Sequence, residues 1–355
     1  MTELTEILNA FGIEGSAAPH GNGHINRTYY VDCQPPVIVQ RINTNVFKKP
    51  VEVMENIFAV TSFLREKIEA AGGDPRRETL NFLCTKDGQP YYKTAEGDYY
   101  RAYYYVGDAL SLERVDRLSD FAEAAHGFGK FQNMLSDFPA EKLYETIEKF
   151  HDTPNRYLDF KAALEADRAG RAASVRAEIE FALACEKYAD TITSCIADGS
   201  VPLRVTHNDT KLNNVLLDAA TGKALCVIDL DTVMPGSLLY DFGDALRFGA
   251  STGAEDEVDL DKIHFDLEKF EVYTEAFLAE VGDRLTAKER ELLPVSALMM
   301  TLECGIRFLG DHLNGDVYFG IHRENHNLDR ARTQFKLVSE IEKYLPRMAE
   351  IVAKY

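Results

Sequence analysis

No run in this sequence approaches the ~20 consecutive apolar residues of a membrane span. The opening Met1-Thr2-Glu3-Leu4-Thr5-Glu6 is acidic where a secretory leader is basic, so no signal segment is expected. Positive charge is scarce throughout: 39 Lys and Arg stand against 58 Asp and Glu, a formal net charge of -19 at pH 7. Such a surface repels the phosphates of nucleic acid and of anionic lipid, so neither is expected as a partner. Cysteine is sparse. Cys33, Cys84, Cys185, Cys195, Cys226 and Cys304 form no Cys-x-x-Cys pair, which argues against a zinc site. They read as reduced, small hydrophobes of a cytoplasmic protein. There is also no basic block, no low-complexity segment and no repeat with a period of roughly 20–50 residues.

What remains is an ordinary globular composition, 45% hydrophobic and 27% charged, over 355 residues. Single cores stop growing at roughly 250–300 residues, so two unequal lobes are expected. Residues 1–107 read as the smaller one. Leu4, Ile7, Leu8 and Phe11 recur at helical spacing before Gly12, and 13–20 read as a linker. A glycine-rich turn at 21–24 then runs into β-prone residues up to Val31. Pro35-Pro36 breaks the chain before a second strand, Val37–Ile42. Residues 50–69 carry a helical apolar period. Strands are expected again at 81–85, 91–93 and 99–106, the last two around the turn 95–98. Residues 108–355 read as mainly helical, with long helices expected at 116–135, 167–198 and 297–313. Gly127 and Gly129 within the first of these suggest close backbone packing. A short β island interrupts this lobe at 201–206, 215–217 and 224–228.

The island carries the chemistry. Asp209 follows a strand, in a loop, where a carboxylate can accept a proton from a hydroxyl. Asn214 lies five residues later and offers an amide oxygen suited to a hard cation. Asp229 ends the partner strand of the hairpin that Asn214 begins, so the two should lie together. Asp231, two residues on, would face the same side if the strand continued, and would support the metal or cap the turn. Phosphoryl transfer needs these parts: an in-line hydroxyl, metal ions bridging the phosphates, and neutralised charge. The spacing is that of the kinase catalytic loop, His-x-Asp-x-x-x-x-Asn, followed by a metal-binding Asp. The expectation is therefore an α+β, protein kinase-like two-lobe fold, with a small β-rich N-lobe and a large mainly helical C-lobe, using ATP and Mg2+. His207 would buttress the loop. Lys211 would stabilise the transferred phosphoryl or stand exposed as an ordinary lysine. Asp241 would hold the loop by hydrogen bonds, with Asp244 as the second choice and helix N-capping as the other reading.

In the N-lobe, Gly21 and Gly23 would lie over the nucleotide phosphates or simply make a turn, and His24 and Asn26 at strand spacing would face the cleft toward sugar or phosphate or form a plain surface pair. Tyr103, Tyr105 and Val106 would meet adenine as the hinge. The lysine that kinases place on the third strand is missing from 37–42; Gln40 takes its position with Arg41 beside it. That departure keeps a catalytically silent nucleotide-binding regulator as the alternative from a different class.

Residues 207–214 and 228–236 resemble the aminoglycoside phosphotransferase and choline kinase-like superfamily. Within it, 21–26, 150–154, 241–252 and 303–309 are similar to bacterial N-acetylhexosamine 1-kinases, which also lack the strand lysine. That resemblance spans nearly the whole chain. It implies phosphorylation of the anomeric hydroxyl of N-acetylglucosamine or N-acetylgalactosamine by a monomer or homodimer. Homoserine, choline and aminoglycosides are the acceptor alternatives. Glu303, Arg307 and Asp311 share one helix face. Arg307 is expected to bind the sugar, with Tyr318 nearby and Phe248 stacking on the ring; a solvated ion-pair stripe is the other reading of that face.

Overall fold

The structure, a computed structural model, describes residues 3–21 and 25–355. The first lobe opens with helix α1 (Glu3–Phe11), followed by strands β1 (Ser16–Pro19), β2 (Arg27–Asp32) and β3 (Val37–Ile42). Helices α2 (Pro50–Ala70) and α3 (Pro75–Glu78) precede strands β4 (Tyr92–Lys93) and β5 (Tyr99–Tyr104). The five strands form an antiparallel sheet in the order β1-β2-β3-β5-β4. Period-2 alternation gives its faces different chemistry. Val37, Val39, Tyr100 and Ala102 pack outward with Ile7, Leu8 and Phe11 of α1. The inner face carries Thr28, Gln40 and Arg101 side by side, since Thr28 pairs with Gln40 and Gln40 with Arg101. So the polar stripe of this sheet points toward the rest of the molecule.

Two expectations fail in this lobe. The linker at 13–20 contains β1, paired along its whole length with β2. The sequence Ser-Ala-Ala-Pro has no apolar alternation, and its strand state comes from the neighbour's ladder. Gly21 therefore belongs to the β1–β2 connection, not to the β2–β3 hairpin. Gly23 and His24 lie outside the described residues. In turn, 81–85 forms no strand. Phe82 makes a single bridge to Tyr103, beyond the part of β5 that pairs with β4.

The second lobe begins with strand β6 (Ala109–Leu110) and helices α4 (Leu118–Met134), α5 (Thr153–Ala166), α6 (Arg176–Ala184) and α7 (Thr191–Ala197). The expected long helix over 167–198 is broken. Asp167 takes a left-handed conformation that closes α5, and short 3-10 turns separate α6 and α7. Strands β7 (Arg204–Thr206), β8 (Val215–Asp218), β9 (Ala224–Val227) and β10 (Met234–Gly236) make the island, as the β6-β8-β9 sheet and the β10-β7 pair. Helices α8 (Leu238–Gly249), α9 (Leu267–Val281), α10 (Ala287–Asn314) and α11 (His326–Val352) complete the lobe. Length and composition would let α10 cross a membrane, but 83% of its apolar window is buried within the fold, against α8, α5 and α11. It begins ten residues before the expected start, behind a Thr286/Glu289 capping box.

Glycines set the closest approaches. A methyl group at Gly243 would overlap the Ser296 carbonyl, and one at Gly127 would strike Val215. These contacts seat α8 on α10 and α4 on the island strands that carry the site.

Candidate active site

The loop after β7 turns sharply because Asn208 takes a positive φ of 64°. One buried carboxylate holds that turn. Asp241, inside α8, accepts the backbone N–H groups of His207 (2.9 Å) and Asn208 (2.7 Å) and the Gln132 amide (2.6 Å). The cap of α8 is Ser237, whose hydroxyl accepts the Leu239 N–H. Asp241 therefore has no capping role. Burial raises its pKa, opposed by these donors. Asp244 accepts the Thr210 N–H and pairs with Arg247. His207 is sealed, its Nε2 donating to the Ile228 carbonyl (2.8 Å) and its Nδ1 accepting from the Asp209 N–H (3.3 Å). It braces the loop against the β9 end and presents no edge to a substrate.

Asp209 is half-buried, with one oxygen on Lys211 Nζ (2.9 Å) and the other 3.3 Å from Asn214 Nδ2. Asn214 also donates to the Asp209 carbonyl (2.8 Å), which leaves its Oδ1 as the free end of the amide. Burial works against the charge of Lys211, but Asp209 raises its pKa on balance. The Ile228 N–H bonds the Asn214 carbonyl, so the β8–β9 hairpin sets Asn214 beside Asp229. The surrounding protein, and then the charges of Asp231 and Asp209, push the Asp229 carboxyl up to about 6. A hard divalent cation fits this donor set, because it would offset the crowding of negative charge. No cluster of three His, Cys, Asp or Glu stands ready for a metal among the described residues. Asn214 and Asp229 would hold Mg2+ with nucleotide oxygens completing the shell, the usual habit of that ion.

Asp231 is placed differently from the expectation. The chain does not continue as a strand: Asp229 is left-handed (φ 59°) and 230–232 form a 3-10 turn. Asp231 is thereby turned to the N-lobe, where Arg101 binds one oxygen and Asn26 Nδ2 the other (2.6 Å). Both of its oxygens are taken. Asn26 in turn accepts the Asn43 N–H (2.9 Å), so its amide also is used at both ends. Gln40 accepts from Arg101 Nε and donates to Thr28 Oγ1, each at 2.9 Å. Arg41 points to the other face and pairs with Asp98. Helix α2 presents buried Asn56 here; its amide bonds the Val233 and Tyr144 carbonyls and the Tyr144 N–H.

At the hinge, Tyr103 packs on Phe82, and desolvation raises its hydroxyl pKa. Tyr105 is exposed, edge-on to Tyr30, and its N–H is used by the Pro36 carbonyl. Val106 is buried.

On α10, Glu303, Arg307 and Asp311 form no solvated stripe. Glu303 is buried against His151 Nδ1 (2.8 Å) and Thr153 Oγ1 (2.7 Å). His151 Nε2 lies 3.5 Å from the Asn208 carbonyl, which links this helix to the catalytic loop. One turn on, the half-buried Arg307 guanidinium sits between Phe150 (5.6 Å) and Phe319 (5.5 Å), with no hydrogen-bond partner among the described residues. Asp311 accepts the N–H groups of Val317, Tyr318 and Phe319 and so fixes that loop. Tyr318 stands 69% exposed, and Phe248 is half-buried on α8. Arg101, Asn56, Gln132 and the pairing of Glu303 with His151 were missed from the sequence. A lone arginine on the inner face of a tyrosine-rich strand was the one signal available.

A family model described as the phosphotransferase enzyme family, APH, matches residues 16–277. This chain belongs to the APH phosphotransferase family. Solved structures agree on the fold. A microcompartment-associated aminopropanol kinase superposes with a TM-score of 0.63 at 17% identity, covering 98% of each chain. An aminoglycoside phosphotransferase from Alicyclobacillus acidocaldarius subsp. acidocaldarius DSM 446 gives 0.62 at 12% identity, covering 99% of this chain and 96% of that one. A spectinomycin phosphotransferase, in complex with ADP and spectinomycin, gives 0.58 at 13%, covering 97% and 98%. Membership of this family makes the protein a kinase-like phosphotransferase, and the corner formed by Asp209, Asn214 and Asp229 is the candidate for its reacting centre.

Proposed function

We propose that this protein transfers the γ-phosphoryl group of ATP to the anomeric hydroxyl of an N-acetylhexosamine, GlcNAc or GalNAc, giving the sugar 1-phosphate and ADP in the cytoplasm. The observation that carries the reading is Arg307. It is a cation with no hydrogen-bond partner among the described residues, 5.6 Å from the Phe150 ring and 5.5 Å from the Phe319 ring, one helical turn from Glu303, whose partner His151 reaches the catalytic loop. Guanidinium donors and aromatic faces suit a neutral acceptor rich in oxygen. A cationic amine, as in the aminopropanol kinase, would meet like charge there. The segments that resemble the N-acetylhexosamine 1-kinases, 150–154 and 303–309, supply Phe150, His151, Glu303 and Arg307 of this cluster.

In the reaction, Asp209 accepts the acceptor's O–H proton as that oxygen bonds the γ-phosphorus. The bond to the β,γ-bridging oxygen breaks and ADP leaves with its electron pair. Lys211, released from Asp209, would neutralise charge on the moving phosphoryl group. Mg2+ between Asn214 and Asp229 would supply charge neutralisation along the phosphates.

The test is a turnover panel with Mg-ATP and GlcNAc, GalNAc, aminopropanol, choline, homoserine and kanamycin. Phosphorus NMR distinguishes a 1-phosphate from other esters by its coupling to the anomeric proton. Turnover of an amino alcohol alone would overturn the sugar assignment.

A further inference from the structure

The strand position where kinases carry a lysine holds Gln40, a residue without charge. Its cross-strand partner on β5 is Arg101, and the two side chains share the inner face of the sheet. Three contacts aim the arginine, and a fourth steadies its carboxylate partner. Nε donates to Gln40 Oε1 (2.9 Å), itself tied to Thr28; Nη1 binds Asp231; Asn26 steadies Asp231 from its other oxygen; and Phe82 lies beneath the guanidinium at 5.8 Å. Only Nη2 has no partner among the described residues, and it is not among the side-chain atoms sealed from solvent without one. The charge sits over the metal loop, close enough to act on Asp229. A glutamate on α2 would be the ordinary counter-ion of a strand lysine. Here α2 buries Asn56 instead, and the carboxylate comes from Asp231.

We propose that Arg101, on the strand next to the expected one, is the cation that binds the nucleotide's phosphates, with Gln40 and Asp231 as its positioning residues. This rests on the ATP-dependent phosphotransferase reading. The substitution moves one charge sideways by one strand while keeping it on the same face, at the same end of the cleft. A planar guanidinium can hold Asp231 through one nitrogen and offer another to a phosphate oxygen, which a lysine's point charge does less specifically. It also accounts for a kinase-like site whose metal loop reads Asp-Leu-Asp: the second Asp belongs to the arginine and not to the metal.

The experiment measures calorimetric affinities of the full chain for Mg-ATP, Mg-ADP and adenosine, beside thermal melts. Arg101→Met is expected to weaken Mg-ATP and Mg-ADP roughly 10- to 100-fold, as the loss of a charged hydrogen bond does, and to leave adenosine unchanged. Arg101→Lys is expected to recover part of the loss. Because Arg101→Met strands a buried carboxylate, the double variant Arg101→Met/Asp231→Asn keeps the test valid if the single variant unfolds, and it should show the same selective loss. Equal weakening of adenosine and ATP, or no weakening at all, would overturn the proposal and leave Arg101 as a strut between the lobes. A parent protein that binds no Mg-ATP would overturn the phosphotransferase reading itself.

Discussion

Asp209 and Asp229 lie on one hairpin-and-loop unit yet face different tasks, and their surroundings separate them. Asp209 is held by Lys211 and Asn214, which orient its carboxylate. Asp209→Asn is expected to lower kcat by roughly 10²–10⁴ while Mg-ATP affinity stays near that of the parent. Unchanged kcat would remove it as the base. Asp229 is held up at about 6 by the surrounding protein and by the neighbouring carboxylates. Its folded pKa exceeds its unfolded value, so its contribution to stability is present below about pH 4 and is lost as pH rises through about 6. Asp229→Asn should therefore melt above the metal-free parent at pH 7 and alike at pH 4. The side chain opens to the cleft, so screening keeps the gain under about 1 kcal/mol. The same variant should lose the Mg2+ dependence of nucleotide binding. Melts at the two pH values, with and without Mg2+, check both signs.

Helix α8 does more than fill space. Its first turns present Asp241 and Asp244 to the catalytic loop, and its Gly243 lies against the Ser296 carbonyl of α10. Moving α8 away from α10 would pull Asp241 from two backbone N–H groups at once. Gly243→Ala is expected to destabilise by about 1–3 kcal/mol, the range of overpacked cores. It should also lower kcat more than it raises the KM for ATP, because the loop and not the nucleotide cleft moves. A chemical melt with steady-state kinetics tests the pairing. A stability loss without any loss of kcat would show that α8 and the loop are uncoupled.

The two lobes share one apolar core through α2 and are tied further by polar anchors. Asn56 of α2 bonds both the Tyr144 backbone and the Val233 carbonyl; Arg77 of α3 reaches Asp218 and the Asp108 carbonyl; Asp231 joins its loop to Asn26, just before β2, and to Arg101 of β5. The outer face of the N-lobe sheet has an apolar cluster of its own with α1, distinct from the large core that takes in α2 and the helical lobe. Asn56→Ala leaves buried backbone groups unpaired at the joint, at a cost of about 1–3 kcal/mol each. Scanning calorimetry is expected to show the single transition broaden or split, with the N-lobe melting first. One sharp transition at the parent temperature would show that Asn56 does not couple the lobes.

Local order along the chain already contained the α+β class, the meeting of Asp209, Asn214 and Asp229 in one corner, and most strand and helix positions. Those features depend on spacing within a dozen or so residues, where a hairpin or a helical period constrains what meets what. The tertiary structure decided the rest. Strand β1 exists because β2 offers it a ladder, although Ser16–Pro19 has no strand pattern. The 167–198 segment broke into short pieces where Asp167 turned left-handed. Asp231 turned to Arg101, which lies 130 residues away, and Asn56 reached the Val233 carbonyl in the other lobe. A side chain's partner across a cleft depends on how two lobes are seated, and no local periodicity encodes that.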